Sequence, residues 1–458
     1  MKKGKVLASI GLGALCLASL VSCKDDQYIN VYSSAGDDLA PIIDGVISEF
    51  NEKSGSKFKI KLVNPGGGYD GLKTAITGDI QAGSLPGLSF CYADHVAEYL
   101  TADVVLDMNQ FINDPELGFT AEEKADFIPG YYNEGWQAFG GQSASDFMYT
   151  LPLSKSTEVM YYNKTVLEDL GIDYSDINNW TWDHFWDVCN QIKKSKYSSW
   201  TPVGIDSEDN LMITLDKQYG IDYTSATGDH YLFNNQENID LINKLNGLFK
   251  NGIFTTKTIN GGKFSSELFT VKRDPENQLQ LTEGDKVSKV ISCVFSIGST
   301  AGARKQSPKN RDFEVGIARL PQADPKNPMS INQGPSLVMF DLGDDEVAQE
   351  KERITWLFTK ELLGTKFQST YSKVSGYIPV RLSVQEETEY SSWLADESNI
   401  IAQTVKFALS NSKAYFVSPA FNGSNKARTE IGSALVQVLS EKKTAEKALS
   451  DAEKSCEF

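Results

Sequence analysis

The chain has 458 residues with 61 acidic and 44 basic side chains, a formal charge of −17 and 11% aromatic residues. A globular chain of this length suits two lobes of ordinary domain size better than one core. Its negative charge disfavours nucleic acid and anionic lipid headgroups as partners, so we expect neither.

The start of the chain has the pattern of a lipoprotein export signal. A short cationic stretch precedes an apolar run at residues 6–20, and Leu20-Val21-Ser22-Cys23 closes it as a lipobox. Residues 1–22 are therefore predicted to be a cleaved signal peptide, with Cys23 as the lipidation site and residues 23–27 as the lipidated N-terminus and tether. The mature body, of charge −20 once three lysines have left with the signal, is expected outside the cytoplasm, anchored by lipid to a bacterial membrane.

Strand and helix patterns alternate over the first part of the mature chain. Strand-like runs occupy residues 28–32, 58–63 and 88–92, and helical spacing of apolar residues lies between them. This order predicts an α/β fold with a mostly parallel sheet, and ligands approach such sheets at the carboxyl ends of the strands. The loops at those ends carry the candidates Ser34, Gly68, Tyr69 and Asp94, and the candidate Tyr92 is the last residue of the third run.

No pattern indicates a metal or a cofactor, and we expect none. The three histidines, His95, His184 and His230, are not at metal-ligand spacing from one another. The four cysteines that remain in the body fit no zinc or redox motif, and their pairing stays open: Cys91, Cys189, Cys293 and Cys456.

Several separated segments resemble one family in the order that this family requires. They are Tyr149-Thr150-Leu151-Pro152-Leu153, Met160-Tyr161-Tyr162-Asn163-Lys164, Thr181-Trp182-Asp183 and Ser375-Gly376-Tyr377-Ile378-Pro379-Val380. Together they resemble extracellular solute-binding proteins of ABC importers, most closely the carbohydrate-type family 1. The resemblance implies a monomer with a two-lobe periplasmic-binding-protein fold, an interlobe ligand cleft and multiple hinge crossings. Lobe 1 is then expected at 28–152 plus 322–364, and lobe 2 at 157–317 plus 374–458.

Within this family the chain looks most like the branch that binds glycerol 3-phosphate and glycerophosphodiesters. Residues 152–159, 292–299 and 333–337 carry that likeness. It implies ligand contacts at Tyr69, Ser156, Trp182, Ser299, Gly334 and Tyr377. Two departures weaken the choice of ligand: Ala93 follows Tyr92 where the branch has an acid, and residues 414–419 lack the arginine that the branch aims at phosphate, although Arg428 lies further on.

The residue types of these candidates suit a hydroxylated ligand. Tyrosine and tryptophan faces stack on the CH side of a sugar or polyol, while serine and aspartate side chains satisfy its hydroxyls. Two candidates have an equally good structural interpretation, because Trp182 is typical of a lobe core and Asp94 of a helix cap.

The sequence therefore predicts a lipid-anchored binding protein without catalysis. It is expected to capture a sugar, polyol or glycerol-phosphate-type ligand by hinge closure and to deliver it to a membrane permease. The alternative is an extracellular glycoside hydrolase lipoprotein, which would need two carboxyl groups across the scissile bond. Asp94 with Glu158 is one such pair, but no pattern singles it out.

Overall fold

The computed structural model describes residues 27–136, 146–269, 280–283, 286–289, 293–306 and 313–457. The predicted signal peptide and the predicted lipidation site at Cys23 lie outside these residues, as does most of the tether. Within the described ranges, no helix combines the length and the apolar character that a bilayer crossing requires.

The strands are numbered in chain order: β1 (Tyr28–Tyr32), β2 (Lys59–Val63), β3 (Leu88–Cys91), β4 (Leu151–Pro152), β5 (Ser156–Asn163), β6 (Val203–Ile205), β7 (Phe254–Thr256), β8 (Gln280–Glu283), β9 (Lys286–Lys289), β10 (Phe295–Ser299), β11 (Val315–Ala318), β12 (Ser330–Gln333), β13 (Ser336–Met339) and β14 (Tyr415–Phe416).

The helices are α1 (Ala40–Lys53), α2 (Gly68–Ala82), α3 (Ala93–Tyr99), α4 (Asn109–Ile112), α5 (Ala121–Ala125), α6 (Pro129–Tyr132), α7 (Lys164–Asp169), α8 (Trp182–Lys193), α9 (Glu208–Tyr219), α10 (Gln236–Lys250), α11 (Ser265–Phe269), α12 (Glu346–Leu362), α13 (Thr365–Ser375), α14 (Thr388–Leu394), α15 (Ile400–Ser410), α16 (Ser424–Leu439) and α17 (Ala445–Cys456).

The first lobe is built on a sheet with the order β2-β1-β3-β13-β4. Strands β1, β2 and β3 are parallel, and β13 runs antiparallel to β3 and β4. Helix α1 covers this sheet with Ile43, Ile47 and Phe50, which recur at helical spacing and are buried. The carboxyl ends of the parallel strands therefore lie at one edge, as the alternating pattern predicted.

The second lobe contains a sheet with the order β14-β12-β5-β10-β6-β7, and β11 also pairs with β5. All eight residues of β5 are buried, because strands pair with it on both sides. Its core is separate from that of the first lobe, with Phe185, Phe254 and Leu435 in one cluster and Ile29, Phe90 and Trp356 in the other. The expected two-lobe α/β fold is confirmed.

The chain crosses between the two sheets at residues 153–155, between β4 and β5, and at residues 334–335, between β12 and β13. Gly334 adopts a φ of +97°, and a Cβ there would lie 2.5 Å from the Ser154 carbonyl oxygen, so the two crossings touch and only glycine fits. Part of the 322–364 segment expected in lobe 1 lies in the second sheet, because Asn332 and Gln333 pair with β5, and Ser330 and Ile331 pair with β14. The remaining lobe boundaries stay a prediction.

The four cysteines whose pairing the sequence left open are Cys91, Cys189, Cys293 and Cys456, and all are buried free thiols.

Candidate functional site

A cavity of about 360 Å³ lies between the lobes, next to the crossing at residues 334–335. The first lobe contributes the start of α2 and the residues that follow β3, both at the carboxyl edge of its parallel strands. The second lobe contributes the first turn of α9, the first turns of α16 and the segment at residues 417–420. Asn332 and Gln333 of β12 line the cavity beside the crossing.

Two tyrosines form the aromatic wall of the cavity. The rings of Tyr69 and Tyr92 have their centroids 4.5 Å apart at an interplanar angle of 56°. Gly66, Gly67 and Gly68 have φ values of 81°, 71° and 66°, which turns the chain sharply from β2 into α2 and places Tyr69 in the first turn. Burial raises the pKa of both phenols, so they are neutral and act as hydrogen-bond groups.

The opposite wall holds the one cation that lines the cavity within the described residues, Arg428 on α16. Its Nε lies 2.7 Å from Asp209 Oδ2, and its Nη2 donates to Asn210 Oδ1. Burial opposes the charge of the guanidinium, but Asp209 and Asp94 outweigh burial and raise the pKa of Arg428. The arginine is therefore charged, and two of its donor groups already have partners.

A buried carboxyl group supports this wall from beneath. Asn210 Nδ2 donates to Glu158 Oε1 at 3.0 Å, and Glu158 itself is buried in β5 and does not line the cavity. Burial raises the pKa of Glu158 to about 8, so the carboxyl group is mostly neutral at pH 7. The series Glu158, Asn210 and Arg428 links the central strand of the second sheet to the cavity.

Asn425 on α16 connects the two lobes at the edge of the cavity. Its Nδ2 lies 3.3 Å from Asp94 Oδ2 and 3.3 Å from His95 Nε2, both in α3 of the first lobe. Its Oδ1 accepts a hydrogen bond of 3.1 Å from Lys73 Nζ, which also pairs with Glu98. A single second-lobe side chain thus holds three groups of the first lobe.

The floor of the cavity rests on a buried ion pair at the crossing. Lys155 is fully buried, and its Nζ pairs with Glu134 and donates to Ser336 Oγ at 3.0 Å. Asn332 Nδ2 donates to Glu134 Oε2 at 3.0 Å. Among the described residues no donor reaches Asn332 Oδ1, although Asn332 is only 8% exposed and lines the cavity. This oxygen is a free acceptor beside the cavity.

The structure brings several of the predicted residues together. Tyr69, Tyr92 and Asp94 line the cavity. Ser34 and Tyr377 are not among its lining residues, but Ser34 acts on the pKa of the Tyr69 phenol, and Tyr69 acts on the pKa of the Tyr377 phenol.

The remaining predicted residues have supporting positions or lie away from the cavity. Gly68 directly precedes Tyr69, Gly334 lies at the crossing, and Ser156 pairs in the ladder with Gln333. Ser299 ends β10, and its Oγ accepts from the Ala301 amide at 3.2 Å; it does not line the cavity. Contact of any of these residues with a ligand stays a prediction.

Trp182 is a core residue, which corrects its place among the ligand contacts. It is 1% exposed, stacks on Trp186 at 5.5 Å, and its Nε1 donates to Gln218 Oε1 at 2.8 Å. The reason is local: Thr181 caps α8, so Trp182 occupies the first helical position on the same buried face as Phe185 and Cys189.

Several cavity residues were missed by sequence reasoning: Glu134, Asp209, Asn210, Tyr223, Asn332, Asn425 and Arg428. For Asp209 and Asn210 a signal was present, because they follow the carboxyl end of β6 and the helix cap Ser207, the same arrangement that identified Asp94 after β3. The others depend on how the lobes pack, which no local pattern encodes.

The model of the family described as bacterial extracellular solute-binding protein matches residues 45–397. The chain is 23% identical to the sn-glycerol-3-phosphate-binding periplasmic protein UgpB of Salmonella typhimurium, over 83% of this chain and 80% of that protein. It is 22% identical to the protein of the same name from Yersinia pestis, over 96% and 94% of the two chains.

Solved structures share the fold. UgpB from Mycobacterium tuberculosis, in complex with glycerophosphocholine, superimposes with a TM-score of 0.70 at 14% identity, over 94% of this chain and 97% of that one. Maltose-bound MalE3 of T. maritima gives 0.69 at 13% identity, over 94% and 99%. At such identities the likeness shows the fold alone. The family model, however, covers well over half of the chain, so the protein belongs to the bacterial extracellular solute-binding proteins, as its ordered motifs predicted.

Proposed function

We propose that the protein is the lipid-anchored substrate-binding component of an ABC importer. It captures a sugar, polyol or glycerophosphate-type ligand between its lobes and delivers it unchanged to a membrane permease. Membership of the family supports the transport role, and relatives named for glycerol 3-phosphate, glycerophosphocholine and maltose support the class of ligand. The protein acts as a monomer and is not an enzyme.

The observation that carries this proposal is the composition of the interlobe cavity. The Tyr69–Tyr92 pair offers flat faces for the CH side of a ligand, and Asn332 Oδ1 offers an acceptor without a partner. Asn425 bridges the lobes at the edge, so a ligand held by both walls favours the arrangement in which the lobes touch. Binding and closure are then one equilibrium.

The charges around the cavity favour an uncharged hydroxylated ligand over a phosphate monoester. Among the described residues, four with carboxyl groups line it, namely Asp70, Asp94, Glu134 and Asp209, against the cation Arg428. Arg428 already pairs with Asp209, so a phosphate dianion would compete for the guanidinium beside further negative charge. A sugar or polyol would instead use the neutral donors and acceptors of the tyrosines and amides.

Native mass spectrometry of whatever co-purifies, followed by thermal-shift titration, tests the ligand class. We expect a neutral sugar or polyol to raise the melting temperature and glycerol 3-phosphate to raise it less. Tighter binding of glycerol 3-phosphate would contradict the charge argument while leaving the transport role intact. Failure of every sugar, polyol and glycerophosphate to bind would overturn the proposed function.

Two cysteine variants in the first 23 residues test lipid anchoring. Cys23→Ser should abolish metabolic labelling with palmitate and release the protein from the membrane fraction. Cys16→Ser changes a thiol inside the apolar run and should leave both unchanged. Equal labelling of the two variants would contradict anchoring at Cys23.

The structure does not bring together in the cavity the carboxyl pair that the sequence offers for a hydrolase. Glu158, which the sequence pairs with Asp94, lies beneath Asn210 and outside the cavity lining. Incubation with a glycan panel should release no reducing ends, while a ligand that binds is recovered intact. Release of a product in proportion to protein concentration would establish a hydrolase.

A further inference from the structure

A second cavity, of about 540 Å³, is strongly basic although the chain as a whole carries a charge of −17. Four cationic side chains line it: Lys217 at the end of α9, Arg319 after β11, Lys326 in the loop before β12, and Lys413 before β14. Tyr415 and Phe416 form its aromatic side, and none of the described residues that line it carries a carboxylate. We call this cavity the basic groove.

The basic groove is separate from the interlobe cavity. No described residue lines both, although Phe416 of the groove directly precedes Val417 of the cavity. The groove lies where the two lobe cores come together along the chain, because Tyr415 packs against the first core and Phe416 against the second.

The charges of the groove are not neutralised within the described part of the chain. None of the four cations forms an ion pair there with a carboxylate. Asp324 lies near Lys326, but its carboxylate accepts the Lys326 backbone amide at 3.0 Å and Asn327 Nδ2 at 2.7 Å. It does not line the groove.

The guanidinium of Arg319 has one buried donor, Nε, without a hydrogen-bond partner among the described residues. Its Nη2 donates to Asn411 Oδ1 at 2.8 Å, which orients the guanidinium. Its Nε is buried, and no described residue accepts from it. Burial lowers the pKa of Arg319, which reflects a partly desolvated charge. A buried donor without a partner is costly, so an acceptor atom of a ligand at this point would bring a gain.

We propose that the basic groove binds the phosphate group of inorganic phosphate or of a small phosphomonoester. The planar guanidinium fork of Arg319 matches phosphate oxygens, and the three lysines add point charges that a dianion neutralises better than a carboxylate. The volume is in the range of small-molecule sites, roughly 300–1,000 Å³, which favours a compact ligand over an extended acidic chain. The faces of Tyr415 and Phe416 would accept the organic part of a monoester.

Calorimetric titration of the full chain with inorganic phosphate and with phenyl phosphate tests this inference. Lys326→Gln and Lys413→Gln change exposed side chains and should each weaken binding several-fold, and together by about tenfold or more. Arg319→Lys keeps the charge but removes the fork and should also weaken binding. Lys194→Gln changes an exposed lysine that directly follows α8 and does not line the groove, and it serves as the control.

The outcomes separate the sources of the anion and the place where it binds. Equal affinity for the two probes identifies free phosphate as the ligand, and tighter binding of phenyl phosphate identifies a monoester; either supports the groove. Phosphate binding that is lost in Arg428→Gln but retained in the two groove variants places the anion in the interlobe cavity and overturns the inference. The inference is also overturned if Lys194→Gln weakens phosphate binding as much as the groove variants do. The same holds if the protein binds neither phosphate probe but binds an acidic peptide or anionic vesicles. None of these outcomes depends on the ligand of the interlobe cavity.

Discussion

Asn425 of the second lobe donates a hydrogen bond of 3.3 Å to Asp94 of the first lobe, and it accepts one of 3.1 Å from Lys73. These bonds exist only while the lobes touch at the edge of the cavity. They therefore contribute to the closed arrangement and not to the fold of either lobe.

Removal of this bridge should shift the protein toward an open form. Asn425→Ala is expected to weaken ligand binding about thirtyfold, because two hydrogen bonds of roughly 1 kcal/mol each are lost from the closed state. Small-angle scattering should show a larger radius of gyration at equal ligand concentration. Asn422→Ala, which changes an exposed residue in the loop before α16, should behave like the parent protein. Equal affinity in the two variants would show that Asn425 does not contribute to closure.

Substitutions of Trp182 and Tyr92 should affect different quantities, protein stability for Trp182 and ligand affinity for Tyr92. Trp182→Ala is expected to lower the free energy of unfolding by about 3–5 kcal/mol, since it removes a buried ring and its bond to Gln218. Tyr92→Ala should change stability less and weaken ligand binding by about 1–3 kcal/mol, because its ring forms the cavity wall. Urea unfolding and calorimetry measure the two quantities. A large loss of affinity in folded Trp182→Ala would restore it as a ligand contact.

The comparison of these two residues shows what the sequence can predict. The carboxyl-end rule identified Tyr69, Tyr92 and Asp94, because loop position after a strand is a local property. The motif around Trp182 fits a ligand contact and a core position equally well. The spacing of Trp182 to Phe185 and Cys189 decides between them, because it indicates a buried helix face. Arg428 lies on α16, far along the chain, and its place in the cavity follows from the packing of that helix against α9, which periodicity does not encode.

Loss of the buried ion pair at the crossing should lower the free energy of unfolding more than loss of an exposed pair. Lys155→Met is expected to lower the free energy of unfolding by about 3–5 kcal/mol, because Glu134 then remains as a carboxylate without its partner. Adding Glu134→Gln to this variant should recover part of the loss. Lys366→Met removes a surface pair with Glu49, in which the lysine side chain is 82% exposed, and should lower the free energy of unfolding far less, because solvent screens the pair. Equal effects of the two lysine changes in urea unfolding would contradict a structural role for the buried pair.

Glu158 predicts a definite direction for the dependence of stability on pH. Burial raises the pKa of its carboxyl group from 4.5 to about 8, so between these values the folded protein holds a proton that the unfolded chain has released. The contribution of Glu158 to stability is thus full below pH 4.5 and decreases as the pH rises toward 8, by up to about 1.4 kcal/mol for each unit. Asp206, a neighbouring carboxyl group whose pKa burial also raises, contributes in the same direction.

A neutral replacement isolates the contribution of Glu158 to the dependence of stability on pH. Glu158→Gln keeps an acceptor for Asn210 Nδ2 but cannot ionise, and the contribution of Asp206 is common to both proteins. The variant should therefore gain stability relative to the parent at pH 8 and gain none at pH 4.5, as measured by urea unfolding at the two values. Glu52→Gln, which changes an exposed residue on α1, provides the control. Its stability should differ from that of the parent by the same amount at both pH values. A constant difference for Glu158→Gln across this range would mean that the Glu158 carboxyl group is charged in the folded protein, held by Arg428 through the cavity wall.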